Sequence, residues 1–232
     1  MRFLVAQQEV LVAGADLSGL TMEISGPGSI VGSIQTDNGV PLPADLVIFV
    51  ELVSKTSRPG PPMPVRVRPD GSFIMDGVQS GETFIAIALP PGVNSFIKSV
   101  TANGDDLYRS PLKVTERAEA GPVQVVISRA VGSLTGRLLA ENGGQGISDF
   151  VILLLPVEPE KQRFRTTYLT TRPGADGSFS LTGAPGEYLV LAKRREDLPA
   201  IVSEEFVRTQ AANAVRVTLV SGEQKHLDLH PN

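Results

Sequence analysis

Along much of the chain apolar and polar residues alternate one by one, the period of a strand with one buried face. Leu20, Met22 and Ile24 alternate with Thr21 and Glu23, and Val123, Val125 and Ile127 with Gln124, Val126 and Ser128. Val215, Val217 and Leu219 alternate with Arg216 and Thr218. Over the last hundred residues the pattern predicts about seven strands, at 133–140, 149–155, 163–170, 178–181, 186–193, 200–208 and 214–220. Val, Ile, Thr, Tyr and Phe dominate them, as strands prefer. Between them Asn142-Gly143-Gly144, Pro173-Gly174, Asp176-Gly177 and Pro185-Gly186 supply the positive-φ residues of tight turns. No window carries a helical stripe, so no helix is predicted. Many short strands at this density imply an antiparallel β-sandwich.

The pattern occurs twice. Ser29-Ile30-Val31-Gly32-Ser33-Ile34 returns 104 positions later as Ser133-Leu134-Thr135-Gly136-Arg137-Leu138. Pro69-Asp70-Gly71-Ser72-Phe73 returns after 106 as Ala175-Asp176-Gly177-Ser178-Phe179, and Gly81-Glu82 after 105 as Gly186-Glu187. Three landmarks in one order and at a nearly constant offset mark an internal repeat. The expected organisation is a strand remnant of a preceding unit at 1–24, a sandwich at 25–128 and a second at 129–232. Here 123–127 and 215–219 are taken as the closing strands, and Gly222 onward as a polar tail. Only Arg129-Ala130-Val131 separates the units, so restricted hinging is expected.

These landmarks resemble the carboxypeptidase regulatory-like domain, a transthyretin-like β-sandwich. The resemblance rests on the Gly-x-Ile/Leu-x-Gly-x-Ile/Leu openers at 28–34 and 132–138 and on Asp-Gly-Ser-Phe at 70–73 and 176–179. It also includes Gly-Glu with its strand at 81–89 and 186–193, and Leu89-Pro90-Pro91-Gly92 with Phe96-Ile97-Lys98-Ser99-Val100. Gly14-Ala15-Asp16-Leu17-Ser18-Gly19-Leu20 is similar to the lead into a closing strand. The resemblance implies two tandem all-β, Ig-like/transthyretin-like sandwiches of about seven strands each, in a bacterial envelope or secreted protein. Its motifs are structural, and none is catalytic.

Composition narrows the function. The 232 residues carry a net charge of −4, with 9 basic and 13 acidic residues up to 128 and 12 of each after it, so neither half is basic enough to attract nucleic acid. There is no Cys, which removes disulfides and thiolate chemistry. The longest apolar run, Phe150 to Val157, is too short to cross a bilayer, and Met1–Ala6 lacks the apolar core of a signal peptide. The expectation is an extracytoplasmic segment of a longer chain, monomeric, with an unidentified protein or glycan partner, no nucleic acid and no transmembrane segment.

No catalytic constellation emerges. The two histidines, His226 and His230, lie near the end, and Gly77-Val78-Gln79-Ser80-Gly81 misses the nucleophile-elbow spacing. No catalytic, cofactor-binding or metal residue is assigned, and no cofactor. His226, Asp228 and His230 would share one face of a strand and offer three metal ligands. The same spacing describes solvent-facing residues of a terminal strand opposite Leu227 and Leu229. The acidic turns at Asp37-Asn38-Gly39, Asp70-Gly71, Asn103-Gly104-Asp105-Asp106 and Asp176-Gly177 lack calcium-loop spacing and match ordinary turn chemistry. Gly26-Pro27-Gly28 with Gly32 precedes a strand, not a helix, and so is no dinucleotide loop. Lys161, with Arg163 and Arg165 around Phe164, Lys193-Arg194-Arg195, and Arg66 with Arg68 read as charge guarding edge strands, with an anion or nucleic-acid patch as the alternative. For sugars, Tyr108, Phe164 and Tyr168 are the candidate exposed rings in a chain without Trp. The openers hold no Lys for a Lys–Asn isopeptide crosslink. Arg58-Pro59-Gly60-Pro61-Pro62-Met63-Pro64 has no counterpart in the second unit, and a loop that differs between similar units is the first place to seek binding. The function expected is a non-enzymatic spacer, display or protein-interaction module, with a carbohydrate-binding module or a peptidase accessory domain as alternatives.

Overall fold

The computed structural model describes residues 19, 21, 26–54, 60–139, 147–198 and 204–231. The segment 1–18, the Leu20/Met22/Ile24 alternation and the Asn142-Gly143-Gly144 turn lie outside the described residues. Strands dominate, and the chain divides into two compact units, 1–87 with 99–126 and 88–98 with 127–232.

The strands that lie wholly or mostly in the first unit are β1 (Gly28–Thr36), β2 (Val47–Ser54), β3 (Met63–Arg66), β4 (Ser72–Val78), β5 (Gly81–Ala88), β6 (Phe96–Ala102), β7 (Asp105–Asp106), β8 (Leu112–Val114) and β9 (Glu119–Ser128); Ala88, Phe96–Lys98 and Ile127–Ser128 fall in the second. They form two sheets, in the orders β4-β1-β9-β6-β7 and β3-β2-β5-β8. Ile30, Ile48, Val50, Phe73, Val100, Val123 and Val125 are buried, and their alternation with exposed neighbours is the expected half-buried pattern. The second unit contains β10 (Gly132–Arg137), β11 (Phe150–Pro156), α1 (Pro159–Gln162), β12 (Leu169–Thr171), β13 (Ser178–Gly183), β14 (Gly186–Arg194), α2 (Glu204–Gln210), β15 (Val215–Leu219) and β16 (Gln224–His226). Its sheets run β13-β10-β16 and β12-β11-β14-β15. Matched by register, β4-β1-β9 corresponds to β13-β10-β16 and β3-β2-β5-β8 to β12-β11-β14-β15. The units diverge after the fifth strand of each: the first inserts the β6–β7 hairpin, the second the helix α2.

The repeated motifs have structural causes. Gly32 faces Phe73 across β1–β4, and Gly136 faces Phe179 across β10–β13. A β-carbon on Gly32 would overlap the Phe73 ring, and one on Gly136 the Leu227 carbonyl oxygen, so the opener needs glycine where ring and neighbouring strand close in. In Asp-Gly-Ser-Phe, Asp70 Oδ1 accepts from Ser72 N (2.9 Å) and Ser72 Oγ (2.7 Å), and Asp176 Oδ1 likewise from Ser178 N (3.1 Å) and Oγ (2.7 Å). The glycine between them has φ of +83° or +81°, and the phenylalanine after the serine is buried.

Four expectations are corrected. First, 163–170 is not a strand. Pro159 opens α1, the Gln162 side-chain amide donates to the carbonyls of Pro156 and Val157 (3.0 and 3.2 Å), and the Tyr168 hydroxyl donates to that of Gln162. These local bonds satisfy backbone groups that a ladder would otherwise serve, and only Leu169–Thr171 pairs with β11. Second, within 200–208 the described part is helical. Val207, one helical turn before Ala211, packs with Phe206 and Ala211 against Leu153, Leu155, Leu189 and Leu191 on the outer face of β11 and β14. That cover explains why both strands are unbroken apolar runs: each is buried on two faces. Third, β15 is not the closing strand; it lies in the other sheet, in the place of β8. The strand matching β9 is β16, continued by a bridge from Leu229 to Leu138. Fourth, the supposed polar tail is therefore an element of the sandwich, with Leu229 buried and Leu227 packed against the inner core. It runs parallel to β10, whereas β10–β13, β11–β12, β11–β14 and β14–β15 all pair antiparallel. Parallel pairing becomes possible because the chain leaves β15 in one sheet and crosses to the other through Ser221-Gly222.

Candidate functional site

The residues singled out as candidate chemistry are dispersed or serve local structure. His226 Nε2 lies 3.2 Å from Asp228 Oδ1, whose oxygen also accepts from Arg137 N (2.9 Å). Among the described residues no group of three or more His, Asp and Glu side chains could hold a metal. The Asp70 and Asp176 carboxylates are engaged by the serine two positions on. Those bonds, side chain first and backbone next, hold both carboxyls below the usual aspartate value.

Several of the basic residues are locally partnered too. Arg194 stacks over the Phe150 ring at 5.0 Å, and Lys161 Nζ lies 2.9 Å from Glu158 Oε1. Arg163 and Arg165 stand in the α1–β12 connection, not on an edge strand; by register Arg172 is the counterpart of Arg66. The edge reading fits β3 alone. Val67 N donates to Leu46 O, so the Phe49–Pro64 pair is a non-hydrogen-bonded one and Pro64 turns its missing N–H to the open side. The aromatic platform is absent among the named rings: Phe164 is fully buried, Tyr108 is buried, and Tyr168 is half-buried beside the α2 cluster. Burial pushes the Tyr188 phenol up, and its hydroxyl donates to Ala184 O (2.9 Å).

One recess stands apart from these. In the first unit, Leu52 and Ser54 at the end of β2, Gly60, Pro61 and Met63 of the proline-rich loop, and the β4–β5 turn from Gly77 to Thr83 enclose about 260 Å³. The described part of the proline-rich stretch, Gly60–Pro64, thus forms a wall of the recess; Arg58 and Pro59 lie outside the described residues. The turn is shaped by Gly77 (φ +78°) and Gly81 (φ +134°), values that L side chains avoid. Its lining is apolar at Leu52, Pro61, Met63 and Val78, with Glu82 as the titratable side chain among the lining residues. Met63 is 41% exposed. Such a lining has no base beside a nucleophile and offers contact instead of chemistry.

The second unit closes the same place. Leu169, paired with Leu154, takes the place of Met63, paired with Val50; across from the opener glycines Gly183 matches Val78; and the Gly-Glu landmarks set Tyr188 against Thr83. A β-carbon on Gly183 would overlap the Leu169 side chain, whereas one on Gly77, the extra residue where the β4 register shifts, would meet nothing within 4 Å. Tyr188 carries its ring into the core where the first unit has only Thr83. Counted from the matched positions Val78 and Gly183 the two turns are equally long, and β4 holds Gly77 as one extra residue. Sequence reasoning pointed to the proline-rich loop but not to its partner wall; the Thr83/Tyr188 difference was readable once the Gly-Glu landmarks were aligned.

No protein-family model matches the chain, and no curated protein matches it. Among solved structures it is similar to the TIE protein of Bacillus anthracis (11% identity, TM-score 0.31), over 90% of this chain and 36% of that one. It is similar to a leucine-rich repeat protein of Bacteroides thetaiotaomicron (10%, TM-score 0.34), over 90% and 27%. The minor pilin of Streptococcus agalactiae aligns over 88% of this chain and 94% of its own (10%, TM-score 0.33). The chain thus spans about a third of the first and about a quarter of the second. Overlaps at these TM-scores assign neither family nor activity.

Proposed function

We propose that this chain is a non-enzymatic interaction module, a tandem of carboxypeptidase regulatory-like sandwiches within a larger envelope or secreted protein, and that its first unit receives a bulky apolar side chain of a partner polypeptide. The observation that carries the binding claim is the contrast between Thr83 and Tyr188, and with it Met63 and Leu169: one recess open, the other filled by the chain itself. The chain's own filling defines the occupant, since Leu169 and the Tyr188 ring are what the second unit places there. At about 260 Å³ the recess falls below the roughly 300–1,000 Å³ of small-molecule pockets and fits one or two side chains. Repeated strand order and motifs whose causes are all structural support the family and module reading, and the loop-borne wall is where such scaffolds place recognition.

The blocked dipeptide acetyl-Leu-Tyr-amide is the probe. In NMR titrations of the whole chain it is expected to shift the amides of Gly77–Glu82 and the Met63 methyl, and to leave Gly183 and Gly186 in place. Thr83→Tyr, which supplies the side chain found in the second unit, is expected to abolish those shifts while keeping the fold. No shift in the wild type, or undiminished shifts in a folded Thr83→Tyr, would refute the assignment.

A further inference from the structure

The two units also differ at the edge beyond the closing strand. In the first, β9 is flanked by β6; in the second, among the described residues, β16 ends its sheet. The chain that could have supplied a flanking strand there forms α2 against the opposite sheet. The peptide groups of β16 can be assigned to sides. Ser133 N donates to Glu223 O (3.0 Å), Leu227 N to Thr135 O (2.9 Å) and Leu229 N to Arg137 O (2.8 Å), so 223, 227 and 229 face β10. Because peptide groups alternate along a strand, those of Gln224, His226 and Asp228 face the open side. All three residues are exposed, and no proline interrupts Gln224–His230, unlike the guarded β3 edge.

We propose that β16 is a pairing edge through which two copies of this chain join, strand against antiparallel strand. The charge pattern specifies the copy and the register. Paired about Leu227, His226 of one copy stands opposite Asp228 of the other, Gln224 opposite His230, and Leu227 meets Leu227 on the core-facing side. No like charges face each other, and the outward amides of His226 and Asp228 form a reciprocally hydrogen-bonded pair. Sliding by one position about His226 would set histidine against histidine. Two three-stranded sheets become one of six, and the contact is isologous and closed. One strand pair is a small interface, so the association is weak.

Sedimentation equilibrium of the whole chain from about 10 μM to about 1 mM is expected to show a monomer passing to a dimer and no further. Over that range the amides of Gln224, His226 and Asp228 should gain protection from hydrogen exchange, while Leu227 and Leu229 are protected throughout. His226→Pro deletes an outward N–H without touching the β10 ladder and is expected to weaken the dimer about tenfold or more. Protection retained at Leu227 and Leu229 reports that this variant is folded; if it is lost, the wild-type exchange pattern decides. A monomer at every concentration overturns the proposal. So does a dimer protected elsewhere, concentration-independent protection of the three outward amides, or a folded His226→Pro that dimerises as well as wild type.

Discussion

Asp70 and Asp176 direct their carboxylates at the N–H and hydroxyl of the serine two positions on, which accounts for the repeated Asp-Gly-Ser without any ligand. Both carboxyls titrate below the ordinary 3.8 in the folded protein, so the stabilisation they give is complete above that value and is lost as pH falls through the lower folded value. The double variant Asp70→Asn, Asp176→Asn keeps an oxygen acceptor in each turn but removes the titration. Its melting temperature is expected to fall less than that of the wild type between about pH 4 and pH 2, measured by circular dichroism. Parallel curves would mean that the turns contribute nothing to acid sensitivity. Both turns, like Gly32 with Phe73 and Gly136 with Phe179, were legible in the sequence because the motif repeats with its cause intact. Phe164 was not: flanked by two arginines, it reads as an exposed ring, and only the local bonds of Gln162 and Tyr168 turn it inward.

Among the elements, β16 best shows where alternation misleads. Val215, Val217 and Leu219 carry the same pattern as Val123, Val125 and Ile127, but lie 92 positions after them, whereas the openers are 104 apart. Keeping the 104 offset places Val123 on Leu227, which is the match the sheet order gives. The strand is hidden because Gln224, Lys225 and His226 are polar and only Leu227 and Leu229 reach the core. The helix α2 is hidden for the opposite reason. Its apolar residues cover the outer face of a sheet already supplied with a core, a use that the unbroken run Phe150–Val157 signals but does not localise. If β16 closes the sandwich, Leu229→Ala should destabilise the second unit by about 2–5 kcal/mol in denaturant titrations, the usual range for a buried leucine. A frayed tail would give almost no change.

At the scale of the whole molecule, one sandwich is built twice and finished differently. The first unit flanks its closing strand with β6 and leaves the recess beside Met63 open. The second fills that recess with Leu169 and Tyr188, covers its outer sheet with α2 and leaves β16 at the edge. These two features therefore fall one to each unit, and they are the ones to which we assign binding. Nothing in the strand pattern distinguishes the units this way, because recess and edge arise from single side chains and from the fate of one insertion. The separation can be tested through the cores. Every residue of the two second-unit clusters lies between Leu134 and Leu229. Leu154→Ala, at a fully buried inner position, is expected to lower the protection of β11 and β14 amides against hydrogen exchange by about 2–5 kcal/mol. Amides of Ile48 and Val50 should exchange as before, and the acetyl-Leu-Tyr-amide shifts at Gly77–Glu82 should persist. Equal loss of protection in both sets would show that the two sandwiches open as one, and that recess and edge cannot be treated as separate sites.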